Sequence, residues 1–183
     1  SLNNKSIRYV IQKKQLGTGH AVLGCKELLK NFDGNILILP GDIPLIKSKL
    51  LNTLISSHIK KNYSASILTL KLDNPFGYGR IIRDKHDNLL KIVEEKDAVP
   101  IQKKINEVNS GIYIFNSDIL IKYLDKIKNK NNQKEYYLTD IFQLLIKANQ
   151  KINILITEDS NSLKGVNTKK ELELLNDIYY RKN

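Results

Sequence analysis

The stretch LPGDIPL (39–45) ends the apolar run NILIL and sets an aspartate, Asp42, directly after Pro40 and Gly41. Two readings are open for it. Pro, Gly and Asp end strands and reverse chains, so Asp42 can simply close a turn. A carboxylate at the C-terminal end of a parallel strand is also placed where open α/β sheets gather ligands, and it suits a metal ion. Five other stretches carry comparable candidates. QLGTGHA (15–21) joins a strand to a helix through two glycines that let backbone approach a flat or anionic ligand. PFGYGR (75–80) is either an ordinary turn or a wall against which a sugar ring can lie. VEEKDA (93–98) reads as a solvated strand edge or as a source of carboxylates, and Asn109 in EVNSGIYIF stands at the mouth of an apolar strand. In GVNT (165–168), Asn167 is either a helix cap or a ligand. His20, His58 and His86 have no metal-ligand spacing. His58 and His86 read as surface residues, and His20, in the first turn of a helix, as structural.

These residues need elements to position them. SIRYVIQ (6–12) and NILIL (35–39) read as strands around a helix over 19–32, a β-α-β unit. A second helix over 47–61 leads to a strand at 64–72. Shorter β segments follow at 79–84, 89–95 and 107–116, the first two joined by the turn KHDN, and predict an antiparallel excursion. Helices are expected over 117–127, 138–149 and 168–182, opened by Ser117, by Thr139 with Asp140, and by Thr168 or the residue before it. A late strand covers 151–157, and NKNNQK (129–134) reads as a loop between helices. No repeat or linker interrupts the series, which predicts a single α/β domain over 1–183.

Composition narrows the function classes. With 183 residues, 41% hydrophobic and 27% charged, the chain can build one sizeable core and is not of disordered composition. Its one cysteine, Cys25, cannot form an internal disulfide, and neither a spanning apolar run nor a secretory leader pattern is evident, so a reducing cytoplasm is expected. A net charge of +11 would suit a basic nucleic-acid-binding domain. Against that, the lysines are spread along the whole chain and the aromatic residues do not interleave with them as a stacking platform requires.

Taken in order, QLGTGHA, L-x-GD-x-PL, GYGRI, IVEEKDA, N-x-GIY, EYYLTD (135–140) and GVN closely resemble the bacterial N-acetylglucosamine-1-phosphate uridyltransferases, the N-terminal half of the bifunctional enzymes that make UDP-N-acetylglucosamine. The resemblance runs from about Gln12 to the C-terminal helix. It implies a Rossmann-like nucleotidyltransferase fold whose mixed, mainly parallel sheet is flanked by helices. It also implies uridylyl transfer from UTP to N-acetylglucosamine-1-phosphate, feeding peptidoglycan and lipopolysaccharide synthesis. Carried over position by position, Asp42 and Asn167 would bind Mg²⁺, an ion that keeps waters and takes one or two protein oxygens. Gln12, Gly17 and Thr18 match uracil-nucleotide contacts, and Pro40 and Gly41 would line the ribose side. Gly79, Glu94 and Asn109 match contacts to the amino sugar. Pro40 departs from the tyrosine that relatives often carry, which favours a backbone role there. Other sugar-1-phosphate nucleotidyltransferases, thymidylyl or guanylyl, share the GD and the fold.

The resemblance further implies a glycine-rich loop of the type L-x-x-G-x-G-T-R-M and a later lysine, which would hold the triphosphate. No such segment precedes Gln12. The chain is therefore expected to lack its first βα unit, to be cut from a longer protein, and to be inactive and poorly stable alone. Hexapeptide repeats are absent too, so acetyl transfer is not expected of these residues, and the homotrimer implied for the full-length protein would form through a C-terminal β-helix outside them.

Overall fold

The computed structural model describes residues 7–166 and 168–182. Helices α1 (Thr18–Gly24) and α2 (Lys26–Leu29) lead to β1 (Asn35–Ile38), α3 (Ser48–Lys60), β2 (Ala65–Lys71), β3 (Arg80–Arg83) and β4 (Leu89–Val93). After the short α4 (Pro100–Lys103) come β5 (Glu107–Asn116), α5 (Ser117–Leu124), α6 (Asp140–Lys147), β6 (Ile152–Thr157), a 3₁₀ turn at Ser160–Leu163 and α7 (Lys169–Lys182). No helix among the described residues is long and apolar enough to cross a membrane.

One six-stranded sheet runs in the order β4-β3-β5-β2-β6, with β1 pairing β5 off that path. Strand β5 is its axis. One edge of β5 takes β2 along most of its length, while the other is shared, β1 pairing over Tyr113–Asn116 and β3 at Val108. Among the described residues only β2 with β6 is parallel, and the other four pairings are antiparallel. The expectation of a mainly parallel sheet is thus corrected for the described residues. Strands β1, β2, β3 and β6 do share a direction, but β5 separates β2 from β1 and β3 and runs against all three.

Both faces of the sheet are covered, which is why β2 is buried at six successive positions and shows no alternation with solvent. Ile67, Tyr113 and Phe115 face Leu120, Leu124, Ile141, Phe142 and Leu145 of α5 and α6. The rings of Tyr113, Phe115 and Phe142 lie 5.3–6.0 Å apart, tilted against one another. Leu68, Ile112 and Ile114 face the opposite layer, with Leu54 of α3 and Leu163.

Several local expectations change. Residues 7–12 form no strand, so the β-α-β unit is not present as such. The alternation of Ile7, Tyr9 and Ile11 has strand character, but all three are exposed, and strand propensity alone does not make a ladder. The helix expected over 19–32 breaks at Cys25. Gly24 is a poor helix former, and a Cβ there would come within 3.2 Å of Val10, which crosses at that point. Asn116, not Ser117, caps α5, its side chain accepting from the amides of Asp118 and Ile119. Thr139 occupies the cap position of α6 but makes no side-chain bond to the helix. At the last helix Thr168 and Glu171 exchange bonds with each other's amides, a reciprocal cap. His58 is also corrected. It is 1% exposed, because it bridges Ser66 on Nδ1 at 2.7 Å and Asn35 on Nε2 at 3.0 Å, tying α3 to β2 and β1.

Candidate active site

A cleft opens at the shared edge of β5. Between its pairing with β3 and its pairing with β1, β5 bulges, so that Tyr113 opposes Ile67 and Asn109 opposes Thr69. Three residues of β5 therefore stand against one of β2. The Ser110 hydroxyl donates to the Leu68 carbonyl at 2.7 Å, and Gly111, at φ +79°, takes the left-handed conformation that glycine allows. A side chain at Gly111 would meet Pro40 at 2.9 Å, so the PGD turn after β1 lies directly on the bulge.

A cavity of about 630 Å³ opens there. Of the ten residues singled out in the sequence, it gathers Thr18, Pro40, Asp42, Gly79, Glu94 and Asn109. Gln12, Gly17 and Gly41 do not line it. Gln12 instead bonds to the Gly17 carbonyl at 3.2 Å and to the His20 ring at 2.9 Å, bracing the turn that presents Thr18. Gly17, at φ +103°, sits where a Cβ would lie 2.7 Å from the Tyr136 carbonyl. This close approach docks QLGTGHA on EYYLTD. Tyr136 donates to the Leu16 carbonyl at 2.8 Å, Gly19 to the Tyr136 carbonyl at 2.7 Å, and Leu138 to the Thr18 hydroxyl at 3.1 Å. Asn167 lies outside the described residues.

Asp42 is exposed in the cleft, and its carboxylate has no hydrogen-bond or ion-pair partner among the described residues. Its carbonyl accepts from Val166 at 2.8 Å, which fastens the 165–166 segment to the PGD turn. Tyr78 stands close enough to feel both Asp42 and Glu171. Burial, with those two carboxylates, pushes its phenol up. Asn109 is held at both ends of its amide, donating to the Tyr113 hydroxyl at 2.7 Å and accepting from Gly111 at 2.9 Å, while its backbone donates to Gly79 at 2.9 Å.

Glu94 is withdrawn from water, contrary to the solvated edge that VEEKDA suggests. Burial pushes its carboxyl up, against the Thr139 hydroxyl that donates to it at 2.8 Å; Asp140, Asp97 and Glu135 reinforce the rise. A Cβ at Gly79 would lie 3.0 Å from Glu94 Oε2, so the glycine makes room for the carboxylate. Sequence reasoning on the site did not single out Tyr78, Tyr113, Glu135, Tyr137, Thr139 or Glu171, all of which line the cavity. EYYLTD, with five polar or aromatic side chains around one apolar position, was the available signal for half of them.

Four carboxylates, Asp42, Glu94, Glu135 and Glu171, line the cavity without a lysine or arginine among its described walls. Such a donor set can accept hydrogen bonds from hydroxyls and amides, and among the described residues it holds no group of three or more acidic, histidine or cysteine side chains arranged for a metal ion.

The nucleotidyl transferase family model matches residues 2–161. The bifunctional protein GlmU of Clostridium novyi (strain NT) is 45% identical over 172 residues, 94% of this chain and 38% of that protein. GlmU of Clostridioides difficile (strain 630) is 45% identical over 178 residues, 97% of this chain and 39% of that protein. The chain thus spans about two fifths of the length of these curated relatives. Among solved structures, UDP-glucose pyrophosphorylase complexed with UDP-glucose superposes with a TM-score of 0.68 at 20% identity, covering 96% of this chain and 66% of that one. A putative glucose-1-phosphate thymidylyltransferase from Bacillus anthracis superposes at 0.65 with 18% identity, covering 93% and 64%. These two likenesses establish the nucleotidyltransferase fold.

Proposed function

The chain belongs to the nucleotidyl transferase family, and from that premise we propose that it carries the site for uridylyl transfer from UTP to N-acetylglucosamine-1-phosphate, giving UDP-N-acetylglucosamine and pyrophosphate. The observation that carries the proposal is the convergence of Thr18, Asp42, Gly79, Glu94 and Asn109, from five separated segments, on one cleft at the β5 bulge. The high identity to the GlmU proteins over nearly the whole chain supports the uridylyl and N-acetylglucosamine assignment. The reading includes a cytoplasmic setting, where nucleoside triphosphates are supplied.

The reaction asks little covalent chemistry of the protein. An oxygen of the sugar phosphate attacks the α-phosphorus of UTP, and pyrophosphate leaves in line. Thr18 and the turn behind it hold the nucleobase end, with Gln12 and Gly17 shaping that turn. Pro40 and Gly41 support the ribose side. Asn109 and Glu94 take the hydroxyls and acetamido group of the sugar, their positions fixed by Tyr113 and Thr139. Asp42, with Asn167, would hold Mg²⁺; the exposed carboxylate, without a partner among the described residues, fits that ion, which would neutralise charge on the phosphates. Fixing both substrates this way lowers the barrier chiefly by orientation.

The test is pyrophosphate release by the full-length protein from UTP, dTTP or GTP, paired with N-acetylglucosamine-1-phosphate or glucose-1-phosphate. The proposal expects UTP with the N-acetylated sugar to have the highest kcat/KM. A higher value for dTTP or GTP would transfer the site to another sugar-1-phosphate nucleotidyltransferase, and no release from any pair would refute the reading.

A further inference from the structure

Among the aromatic residues of the cleft, Phe76 stands apart from Tyr78, Tyr113 and Tyr137 in being largely exposed. Phe76 lines the cavity yet is 76% exposed, an arrangement that leaves most of a large apolar ring in water. Its loop is nevertheless built with care. Phe76 donates its amide to the Asn74 side chain at 3.2 Å, Tyr78 closes a turn onto the Pro75 carbonyl at 3.2 Å, and Gly77, between them, has φ +88°. Glu95 grips this loop from the end of β4. One oxygen of its carboxylate accepts from Gly77 N at 3.3 Å and from Arg80 Nη2 at 2.7 Å, and the other faces Lys103 at 3.5 Å. Arg80 also donates to the Tyr78 carbonyl, so the clamp reaches both sides of the turn. Arg80 is fully buried, and its Nε has no partner among the described residues. The guanidinium is thus placed to suit the loop and Glu95, at the expense of its own third donor group.

We propose that Phe76 is the acceptor-sugar wall of the cleft, its ring covering the apolar C–H face of the hexose, and that Glu95 is the positioning residue that holds the loop and ring in place. This rests on the reading of Gly79, Glu94 and Asn109 as the sugar half of the site. The polar groups of that half are supplied by Glu94 and Asn109, which recognise hydroxyls but offer nothing to the ring's C–H face. Phe76, three residues before Gly79 and on the same cavity, supplies the missing apolar surface. Covering a ring that is otherwise wet adds hydrophobic gain to sugar binding and none to UTP.

The experiment is steady-state kinetics of the full-length protein with UTP and N-acetylglucosamine-1-phosphate. Phe76→Ala should raise KM for the sugar phosphate about tenfold, a change of about 1.4 kcal/mol, while KM for UTP moves less than twofold. Phe76→Tyr, which keeps the ring, should restore the sugar KM. Glu95→Gln keeps an oxygen for Gly77 but loses the charge facing Arg80 and Lys103, and should raise the sugar KM by a smaller factor. Combined with Phe76→Ala, it should add little, because it acts through the ring. An unchanged sugar KM in Phe76→Ala, or equal rises for both substrates, overturns the role of Phe76, and additive effects in the double variant overturn that of Glu95. Because Phe76 is exposed, its variant should fold even if Glu95→Gln does not. An active wild type with a silent Phe76→Ala refutes only this inference, whereas an inactive wild type refutes the function on which it rests.

Discussion

The Glu94 carboxylate sits where charge is poorly solvated, with Thr139 as its hydrogen-bond donor and three acidic neighbours. Its folded-state pKa is raised, so its contribution to stability is complete at low pH and is lost as pH rises through the folded value. Glu94→Gln keeps an oxygen for Thr139 and carries no charge. It should therefore raise the melting temperature at pH 7–8, and the gain should disappear as pH falls below the ordinary carboxylate range, about 4. The same variant should weaken sugar-phosphate binding, and equal melting curves at neutral pH would contradict the account of Glu94. Gly111 gives a second test. Alanine there is strained at φ +79° and drives into Pro40, so Gly111→Ala should destabilise by about 1–3 kcal/mol in chemical denaturation. Both features show the limits of legibility at this scale. Asp42, Glu94 and Asn109 could be picked out as motif members, but the solvated edge suggested by VEEKDA gave no sign that Thr139, forty-five residues on, would bury Glu94.

Strand β5 was readable to the residue from its ten positions of strand-forming sequence, but the cap of the helix that follows was not, since it is Asn116 and not the expected Ser117. Its bulge was not readable. NSG looks like ordinary strand punctuation, and the two extra residues appear only when β2 is laid alongside. Segment 7–12 failed in the opposite sense, its alternation being real but its pairing partner missing among the described residues. His58 combines both problems: a polar residue on a helix reads as surface until β1 and β2 supply Asn35 and Ser66. Burial holds its imidazole below the usual histidine value, so the unfolded chain binds more protons as pH falls. Stability should accordingly decline with falling pH below about 6.5. His58→Leu should remove that slope, and at pH 8 it should cost about 1–3 kcal/mol for each hydrogen-bond partner left unpaired. Urea denaturation across pH 5–8 checks both, and an unchanged slope would mean that other groups carry it.

At the scale of the whole molecule, a net charge of +11 surrounds a cavity walled by carboxylates. Total charge therefore points away from the chemistry of the site, although a basic exterior can speed the arrival of anionic substrates. At physiological salt, excess single-stranded DNA should leave turnover within about twofold; inhibition competitive with UTP would instead favour polyanion binding in the cleft. Fold class followed from the alternation of elements, whereas the sheet's order depended on β5 inserting between strands that run the other way, a long-range pairing that local pattern does not encode. The most direct test of the central claim, that the cleft at the β5 bulge is the nucleotidyl-transfer site, is Mg²⁺-dependent pyrophosphate release by full-length Asp42→Ala. The loss of one charge-stabilising group predicts a fall in kcat of at least about a hundredfold, with an unchanged melting temperature. Turnover within a few fold of wild type at the same Mg²⁺ concentration would contradict it.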